Sequence, residues 1–412
     1  MKFKNYVFAA LALLAFTACS NDDEPGKGDP TLNAPDATLS IATKFEGTKT
    51  ETPKDYTATV YSLFAAVFNN ETGSNNGKLL TSGYVTTDEE GNFPSEITDL
   101  KTKAVNVKVI VIANIPENTF AGESTLTGFN EKLLALEKGV EMFVMSSDVQ
   151  SFTLKAGINK AGYGPSQEIT PEGEGFNSVK NDEIVIYRTW ANVKLSTLKL
   201  DIPHDETSQA GTASSASFKV KSIFLANVKT TSKYFFNGSG PWGIIENTAD
   251  NVAYYAGESA DETGEYKTNT NTTLEPAFAS RFDEESMPTV VNGNSISLED
   301  LNNFYITENL FAEATANNKD KTLLIVKGDL TNTINGEETT FENRYYTVVI
   351  NNIGESTGFT HWGVKRNYKY AINLTLKGIG SNVPFEKDKS SSLDIDIEVS
   401  PWNIVNQNPD ME

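Results

Sequence analysis

The side chains that could perform chemistry in this chain are few and widely separated. A Ser-His-Asp triad or a histidine-bound metal would have to use His204 or His361, since the sequence holds two histidines. One follows a proline in a polar segment and the other precedes a tryptophan near a predicted strand, so structural or solvent-facing roles are favoured. The single cysteine, Cys19, excludes an internal disulfide and a cysteine-metal cluster. These residues predict no enzyme, no metal site and no cofactor.

Three other motifs carry weak signals. Residues 238–243 match G-x-G-x-x-G, but the dinucleotide fingerprint needs a preceding strand and a following helix, and the proline and tryptophan inside the motif favour a loop. Acidic runs such as 88–90 would serve a glycosidase only at a set separation across a cleft, so acidic turns explain them more simply. The Lys-Gly-Asp tripeptide at 327–329 resembles an integrin-binding sequence; it also fits a tight turn after a predicted strand, and chance is the simpler explanation.

The N-terminus predicts a bacterial lipoprotein signal peptide over residues 1–18. A positive region at Lys2 and Lys4 precedes an apolar run, 6–16, that is too short to span a bilayer, and two small residues stand directly before Cys19. Cleavage there and acylation of the Cys19 thiol would give a lone cysteine a role that needs no disulfide partner. The alternative is an ordinary secretory signal with an incidental cysteine.

The composition excludes some partners. The net charge is −21 and the pI is about 4.6, which argues against nucleic acid, because phosphates call for a basic protein face. No later segment is long and apolar enough to span a membrane as a helix. Residues 20–35 are rich in Asp, Pro and Gly and predict a flexible tether, whose acidic run at 22–24 is either a surface-export signal or a solvated spacer.

Period-two alternation indicates a mainly β protein with two β-sandwich-like (transthyretin-like) domains and one or two short helices. Phe129, Leu133, Leu134 and Leu136 have helical spacing, and Gly139 would end that helix. The length and a glycine-rich stretch predict a boundary near Asp182, with domains at 50–181 and 182–412. Strands are predicted at 37–43, 56–68, 105–112, 152–154, 184–187, 191–200, 218–228, 322–326, 345–351, 368–376 and 393–399.

Short motifs along nearly the whole chain occur in the order of a known family. They are VIVIAN at 109–114, FTLKAG at 152–157, RTWANV at 188–193, FLANV at 224–228, YYTV at 345–348, RNYKY at 366–370, LKGIGS at 376–381 and PW at 401–402. Together they resemble the Bacteroidales-type fimbrillins, the major subunits of type V pili. The resemblance implies a fimbrial shaft subunit, exported as an outer-membrane lipoprotein and then assembled into an extracellular fimbria that supports adhesion.

The resemblance also implies how such a subunit polymerises. A trypsin-like protease removes the lipidated propeptide, here 19–49, together with the first strand, and a strand from another subunit fills the groove. The removable strand would be 37–43, with Leu39 and Ile41 facing the core. The following polar loop offers Lys49 as the favoured cleavage site, with Lys44 and Lys54 as alternatives.

The donor strand would come from the C-terminus. Residues 392–399 alternate apolar and acidic side chains and predict an apolar-in, acidic-out strand; Pro401 then interrupts the ladder because it has no N–H. Beyond this hinge the donor tail offers Trp402, Ile404 and Val405. The alternative is that the tail closes its own domain.

The partners so implied are copies of the same chain, other fimbrial subunits, the processing protease and a host or bacterial surface receptor. Two other functions stay open. One is a tip or accessory adhesin of the same fimbria. The other is a surface glycan-binding lipoprotein, for which Trp242 and Trp362 are the candidate platforms.

Overall fold

Strands follow one another through almost the whole described chain, as the alternation predicts. The computed structural model describes residues 33–45, 59–88, 91–135, 143–164, 175–202, 215–235, 254–255, 279–298, 301–310, 321–334, 336–351, 362–382, 384 and 393–401. The prediction of a mainly β fold is confirmed, and one short helix lies among these residues.

The first part of the chain builds two facing layers. One layer holds β1 (Asp36–Phe45), β4 (Glu96–Lys103), β9 (Gly157–Ala161) and β10 (Phe176–Lys180). The other holds β2 (Ser62–Asn69), β3 (Leu79–Thr86), β5 (Asn106–Ala113), β7 (Met145–Ser147), β8 (Gln150–Thr153) and β11 (Ile184–Arg188). Because β1 also pairs with β11, the two layers form one continuous sheet.

The second part of the chain repeats this two-layer plan. One sheet holds β12 (Trp190–Leu200), β19 (Ser295–Ser297), β20 (Phe304–Thr307), β25 (Tyr368–Leu376) and β26 (Leu393–Pro401). The other holds β13 (Ser215–Ala226), β17 (Ala279–Arg281), β18 (Thr289–Val291), β22 (Leu323–Ile334) and β23 (Glu337–Val349). Apolar side chains of both sheets form one buried cluster between them.

Three short strand pairs form separate two-stranded sheets. They are β14 (Val228–Lys229) with β16 (Tyr254–Tyr255), β15 (Thr231–Lys233) with β6 (Leu133–Ala135), and β21 (Asn309–Leu310) with β24 (Gly363–Val364). The pair β15–β6 joins the second sandwich to the first. Phe235, just after β15, is buried with the apolar side chains on the far face of β2 and β5.

The predicted helix is shorter than its apolar spacing suggests. The helix α1 (Leu126–Glu131) begins at Thr125, whose hydroxyl accepts a hydrogen bond from the Gly128 N–H, and it ends before Leu133. The prediction was wrong for Leu133 and Leu134, because β6 takes them into a pair with β15. Leu136 and Gly139 lie outside the described residues.

The predicted boundary near Asp182 lies just before β11. That strand hydrogen-bonds to β1 and β7 of the first sandwich, and β12 begins the second sandwich at Trp190. We propose that the chain passes from one domain to the other at Thr189.

The tripeptide at 327–329 does not form the tight turn predicted for it. It lies inside β22, where Gly328 pairs with Val220 and Arg344 and Asp329 forms an ion pair with Lys221. A Cβ on Gly328 would lie 2.1 Å from the Lys219 carbonyl oxygen and 2.5 Å from the Phe218 ring. Glycine is therefore required by the close approach of β13.

We expect Gly328→Ala to lower the free energy of unfolding by about 1–3 kcal/mol, because the added methyl group must push β13 away. Urea denaturation followed by circular dichroism measures this. Gly175→Ala is the matched control, since nothing lies within 4 Å of its Cβ position. Equal effects of the two substitutions would contradict the explanation.

Candidate functional site: the first strand and its groove

The first strand lies between other strands, not at an edge. Residues 36–42 pair antiparallel with β4 on one side, while on the other side 37–41 pair parallel with β9 and 43–45 pair parallel with β11. Backbone groups on both sides of β1 therefore hydrogen-bond to neighbouring strands. Loss of β1 would leave a groove with unpaired edges on both walls, which is a template for another strand.

The inward side chains of β1 fill the first core. Leu39 and Ile41 are 0% exposed and belong to one cluster with Ile97 and Leu100 of β4 and with apolar side chains of the opposite layer. Their burial agrees with the predicted orientation, because alternate residues of a strand point to the same face.

The outward side of β1 has a socket that sequence patterns did not indicate. Ser40 is only 7% exposed and lies opposite a β-bulge, where Leu39 pairs with Leu100 and Ile41 pairs with Ile97. The bulge residue Asp99 has a φ of 57°, and its N–H donates to the Ser40 hydroxyl at 3.4 Å. The Ser40 hydroxyl oxygen thus accepts a hydrogen bond from the Asp99 N–H, a backbone donor that the bulge takes out of the regular ladder.

Tyr163 covers this socket. The Tyr163 hydroxyl donates to a Glu96 carboxylate oxygen at 2.8 Å, and the Ser40 side chain also hydrogen-bonds to the Tyr163 hydroxyl. Burial and the Glu96 carboxylate raise the pKa of Tyr163, so the phenol stays protonated and can donate. The segment that carries Tyr163 directly follows β9 and lies close to β1. This approach needs a glycine, because at Gly162, with a φ of +85°, the Ala42 carbonyl oxygen lies where a Cβ would be.

The predicted cleavage sites lie at or beyond the end of β1. Lys44 pairs with Val185 through its backbone, one residue before the parallel ladder between β1 and β11 ends. Lys49 and Lys54 lie outside the described residues, as does Cys19.

The C-terminal strand β26 occupies a sheet edge. It pairs with β25 from Leu376–Leu393 to Tyr368–Pro401, and its other side has no partner strand among the described residues. The acidic side chains face outward as predicted, but the apolar face is incompletely covered: Val399 is buried, while Ile395 is 44% exposed. Trp402, Ile404 and Val405 lie outside the described residues.

A buried ion pair was not foreseen from the sequence. Arg366 and Glu308 have side chains that are 2% and 3% exposed, and Arg366 Nε donates to Glu308 Oε2 at 2.9 Å. Arg366 Nη2 also donates to the Lys233 carbonyl oxygen at 2.9 Å and to the Ser232 hydroxyl at 3.1 Å. The guanidinium therefore holds β15, the strand that reaches the first sandwich.

The other sequence candidates form no site in the described part of the chain. His204, His361 and Trp242 lie outside it, and Trp362 is half-buried. Within the described ranges, no three metal-ligating side chains come together. No helix among the described residues is long and apolar enough to cross a membrane.

Two family models match successive parts of the chain and meet within β12. Residues 37–196 match the major fimbrial subunit protein (FimA) family, and residues 198–402 match the C-terminal domain of Fim1C-like fimbrium tip subunits. Both families are named for fimbrial subunits. The chain belongs to the fimbrillin family of fimbrial subunits.

Relatives that match almost the whole chain are also named as fimbrial subunits. A Parabacteroides distasonis protein with the provisional name fimbrium tip subunit Fim1C is 28% identical over 398 residues, covering 93% of this chain and 90% of its own. The Porphyromonas gingivalis major fimbrium subunit FimA type-2 is 25% identical over 433 residues, covering 99% of both. A fimbrilin crystal structure from P. gingivalis W83 shares the fold, with a TM-score of 0.59 at 19% identity, covering 90% of this chain and 99% of that one.

Proposed function

We propose that this chain is a structural subunit of a fimbrial shaft on the cell surface, exported as a lipoprotein precursor and polymerised when a protease releases its first strand. The observation that carries the proposal is the place of β1, which is buried between β4 and β9 and contributes Leu39 and Ile41 to the core. A chain cut just after β1 would keep the strand only by non-covalent contacts. Its replacement by a strand from another copy restores the same hydrogen bonds.

The cleavage site that best fits this proposal is Lys49. A protease needs an extended, accessible stretch of backbone, and Lys44 is still paired with Val185 in the sheet. Lys49 follows the ladder by a few residues, and Lys54 is the next basic residue. Lipidation of Cys19 would hold the uncut precursor at the outer membrane.

The donor in this proposal is the tail that begins at Trp402. Pro401 is the last residue of β26, and its missing N–H ends the pairing with β25 at Tyr368. A tail that leaves the sheet there is free to reach a neighbouring subunit. Trp402 and Ile404 are two residues apart and so would enter the groove on one face.

A tip subunit of the same fimbria is the second candidate. It is favoured by the match of residues 198–402 to the tip-subunit family and by the P. distasonis relative. A tip subunit would accept a strand without having to donate one, so the two functions differ in whether the tail is needed for assembly. Adhesion to a receptor fits either role.

We expect purified residues 20–412 to stay monomeric until limited trypsin cuts between Lys44 and Lys54, and then to form fibres. Electron microscopy and N-terminal sequencing of the product measure both steps. Lys49→Gln should slow the cut and the fibres together, and truncation after Ser400 should leave the cut intact but abolish the fibres.

Each contrary result has a defined meaning. Fibres formed by the protein truncated after Ser400 would show that the donor is not the tail. A clean cut that leaves the full-length protein monomeric would favour the tip subunit over the shaft. Fibres formed without any cut would contradict protease-triggered strand release.

A further inference from the structure

We propose that the Ser40 position selects the strand that replaces β1: the incoming residue there must be small and must carry an uncharged acceptor oxygen, and in this chain that residue is Asn403. The inference rests on the proposed strand replacement. It adds a polar specificity determinant on the outer face of the groove to the apolar sockets of Leu39 and Ile41.

The first requirement comes from the bulge in β4. With β1 gone, the N–H of Asp99 loses the Ser40 hydroxyl that accepts from it. A replacement strand supplies the backbone partners of a regular ladder, but only a side-chain acceptor at this one position can serve the bulge. An apolar residue at the Ser40 position would leave the Asp99 N–H without a hydrogen-bond acceptor.

The second requirement, a small side chain, comes from the residues that cover the Ser40 position. Tyr163 lies over Ser40, held by its hydrogen bond to Glu96, and the backbone at Gly162 is packed against Ala42. A long side chain would have to displace this turn. The socket therefore admits a residue about the size of serine or asparagine.

The third requirement is electrostatic. Two carboxylates lie near the Tyr163 hydroxyl: Glu96 accepts its hydrogen bond, and the charge of Asp99 helps to raise the pKa of the phenol. Lys160 pairs with Ser40 across β9, and its ammonium lies over two aromatic rings, 5.2 Å from the Tyr163 centroid and 4.8 Å from that of Phe176. An acidic residue at the Ser40 position would add a third carboxylate to a largely covered place. Neutral acceptors are therefore preferred over aspartate and glutamate.

The required pattern is apolar, small neutral acceptor, apolar. The tail meets it at Trp402, Asn403 and Ile404. The pattern is unchanged when the strand is reversed, so Asn403 falls at the Ser40 position for either direction of insertion. Its amide oxygen can accept from the Asp99 N–H.

The same requirements exclude β26 as the donor. Its Leu, Ile and Val residues alternate with Asp394, Asp396 and Glu398, so every register that fills both apolar sockets with these branched side chains places a carboxylate at the Ser40 position. The acidic alternation that suits an exposed edge strand thus keeps β26 out of the groove, and the neutral tail beyond Pro401 is accepted.

Peptide binding to the trypsin-cut protein truncated after Ser400 tests this. Fluorescent peptides of residues 400–408 carry Asn403 or the substitutions Asn403→Ser, Asn403→Asp and Asn403→Leu, and a peptide of residues 35–45 is the reference. We expect the Ser peptide to bind within about threefold of the Asn peptide, and the Asp and Leu peptides at least about tenfold more weakly. Fluorescence anisotropy at neutral pH gives the affinities.

The intact precursor provides an independent measurement. Ser40→Asn should leave the melting temperature nearly unchanged, and Ser40→Asp and Ser40→Leu should lower it; Thr38→Asp, on the same face of β1, is the matched control. Equal binding of the four tail peptides, or binding of the reference peptide but of no tail peptide, would overturn this inference alone. If the reference peptide also fails to bind, the groove is no strand acceptor, and the proposed function falls with the inference.

Discussion

Glu308→Gln is expected to lower the free energy of unfolding by about 3–5 kcal/mol, because it leaves the guanidinium of Arg366 buried without its counter-charge. Both side chains are almost fully enclosed, and Arg366 Nε donates to Glu308 Oε2 at 2.9 Å. Removal of one charge from a buried pair costs more than the pair contributes, since the remaining ion keeps its desolvation penalty. Urea denaturation followed by circular dichroism measures the change.

The position of this pair adds a second readout. Arg366 also binds the Lys233 carbonyl oxygen and the Ser232 hydroxyl, and β15 pairs with β6 of the first sandwich. Loss of Glu308 should therefore raise the hydrogen-exchange rate of Thr231–Lys233 ahead of the sheet centres.

Two controls separate a buried charge from a general effect of substitution. The double variant Glu308→Leu with Arg366→Met removes both charges and should cost less than Glu308→Gln alone. Asp36→Asn breaks the exposed ion pair with Lys103 and should change little, because solvent screens that pair. An Asp36→Asn effect as large as that of Glu308→Gln would contradict the burial argument.

Ile41→Ala is expected to lower the free energy of unfolding of the first domain by about 2–5 kcal/mol. Ile41 is 0% exposed, packed with Leu39 and Ile97 between the two layers, so truncation leaves a cavity that paired strands on both sides prevent from collapsing. The first strand should also exchange its amide hydrogens faster, because side-chain burial is what fixes it in the groove.

Ile395→Ala is the matched control, since it is the same chemical change on a strand residue that is 44% exposed. Its expected cost is below about 1 kcal/mol, because little apolar surface is lost from the interior. Calorimetric melting of both variants measures the difference. Similar losses for the two isoleucines would show that β1 is not held by its core contacts.

Several strands could be predicted closely because one face of each is buried. The predicted 368–376 is β25, and 184–187 and 191–200 differ from β11 and β12 by one residue at one end. In such strands apolar side chains must recur at every second residue. The long β22 and β23 extend well beyond their predicted parts, because their distal ends carry polar residues on both faces.

The predictions of a helix that includes Leu133 and of a turn at 327–329 were wrong, because long-range contacts decide the structure of both segments. Leu133 and Leu134 have helical spacing, yet a distant strand, β15, captures them through backbone hydrogen bonds. Gly328 looks like a turn residue, yet it lies in mid-strand because Phe218 and the Lys219 carbonyl leave no room for a side chain. Local patterns contain neither of these long-range contacts.

The sequence by itself determined the β class, the inward orientation of Leu39 and Ile41, and the acidic alternation of β26, because all three follow from the two-residue period of a strand. Only the tertiary structure decided that β1 lies between β4 and β9 and that Ser40 meets a bulge under Tyr163. Only it paired Arg366 with Glu308. These contacts join residues 54 to 123 positions apart in the chain, so they depend on how the strands are ordered in the sheets, which no local period encodes.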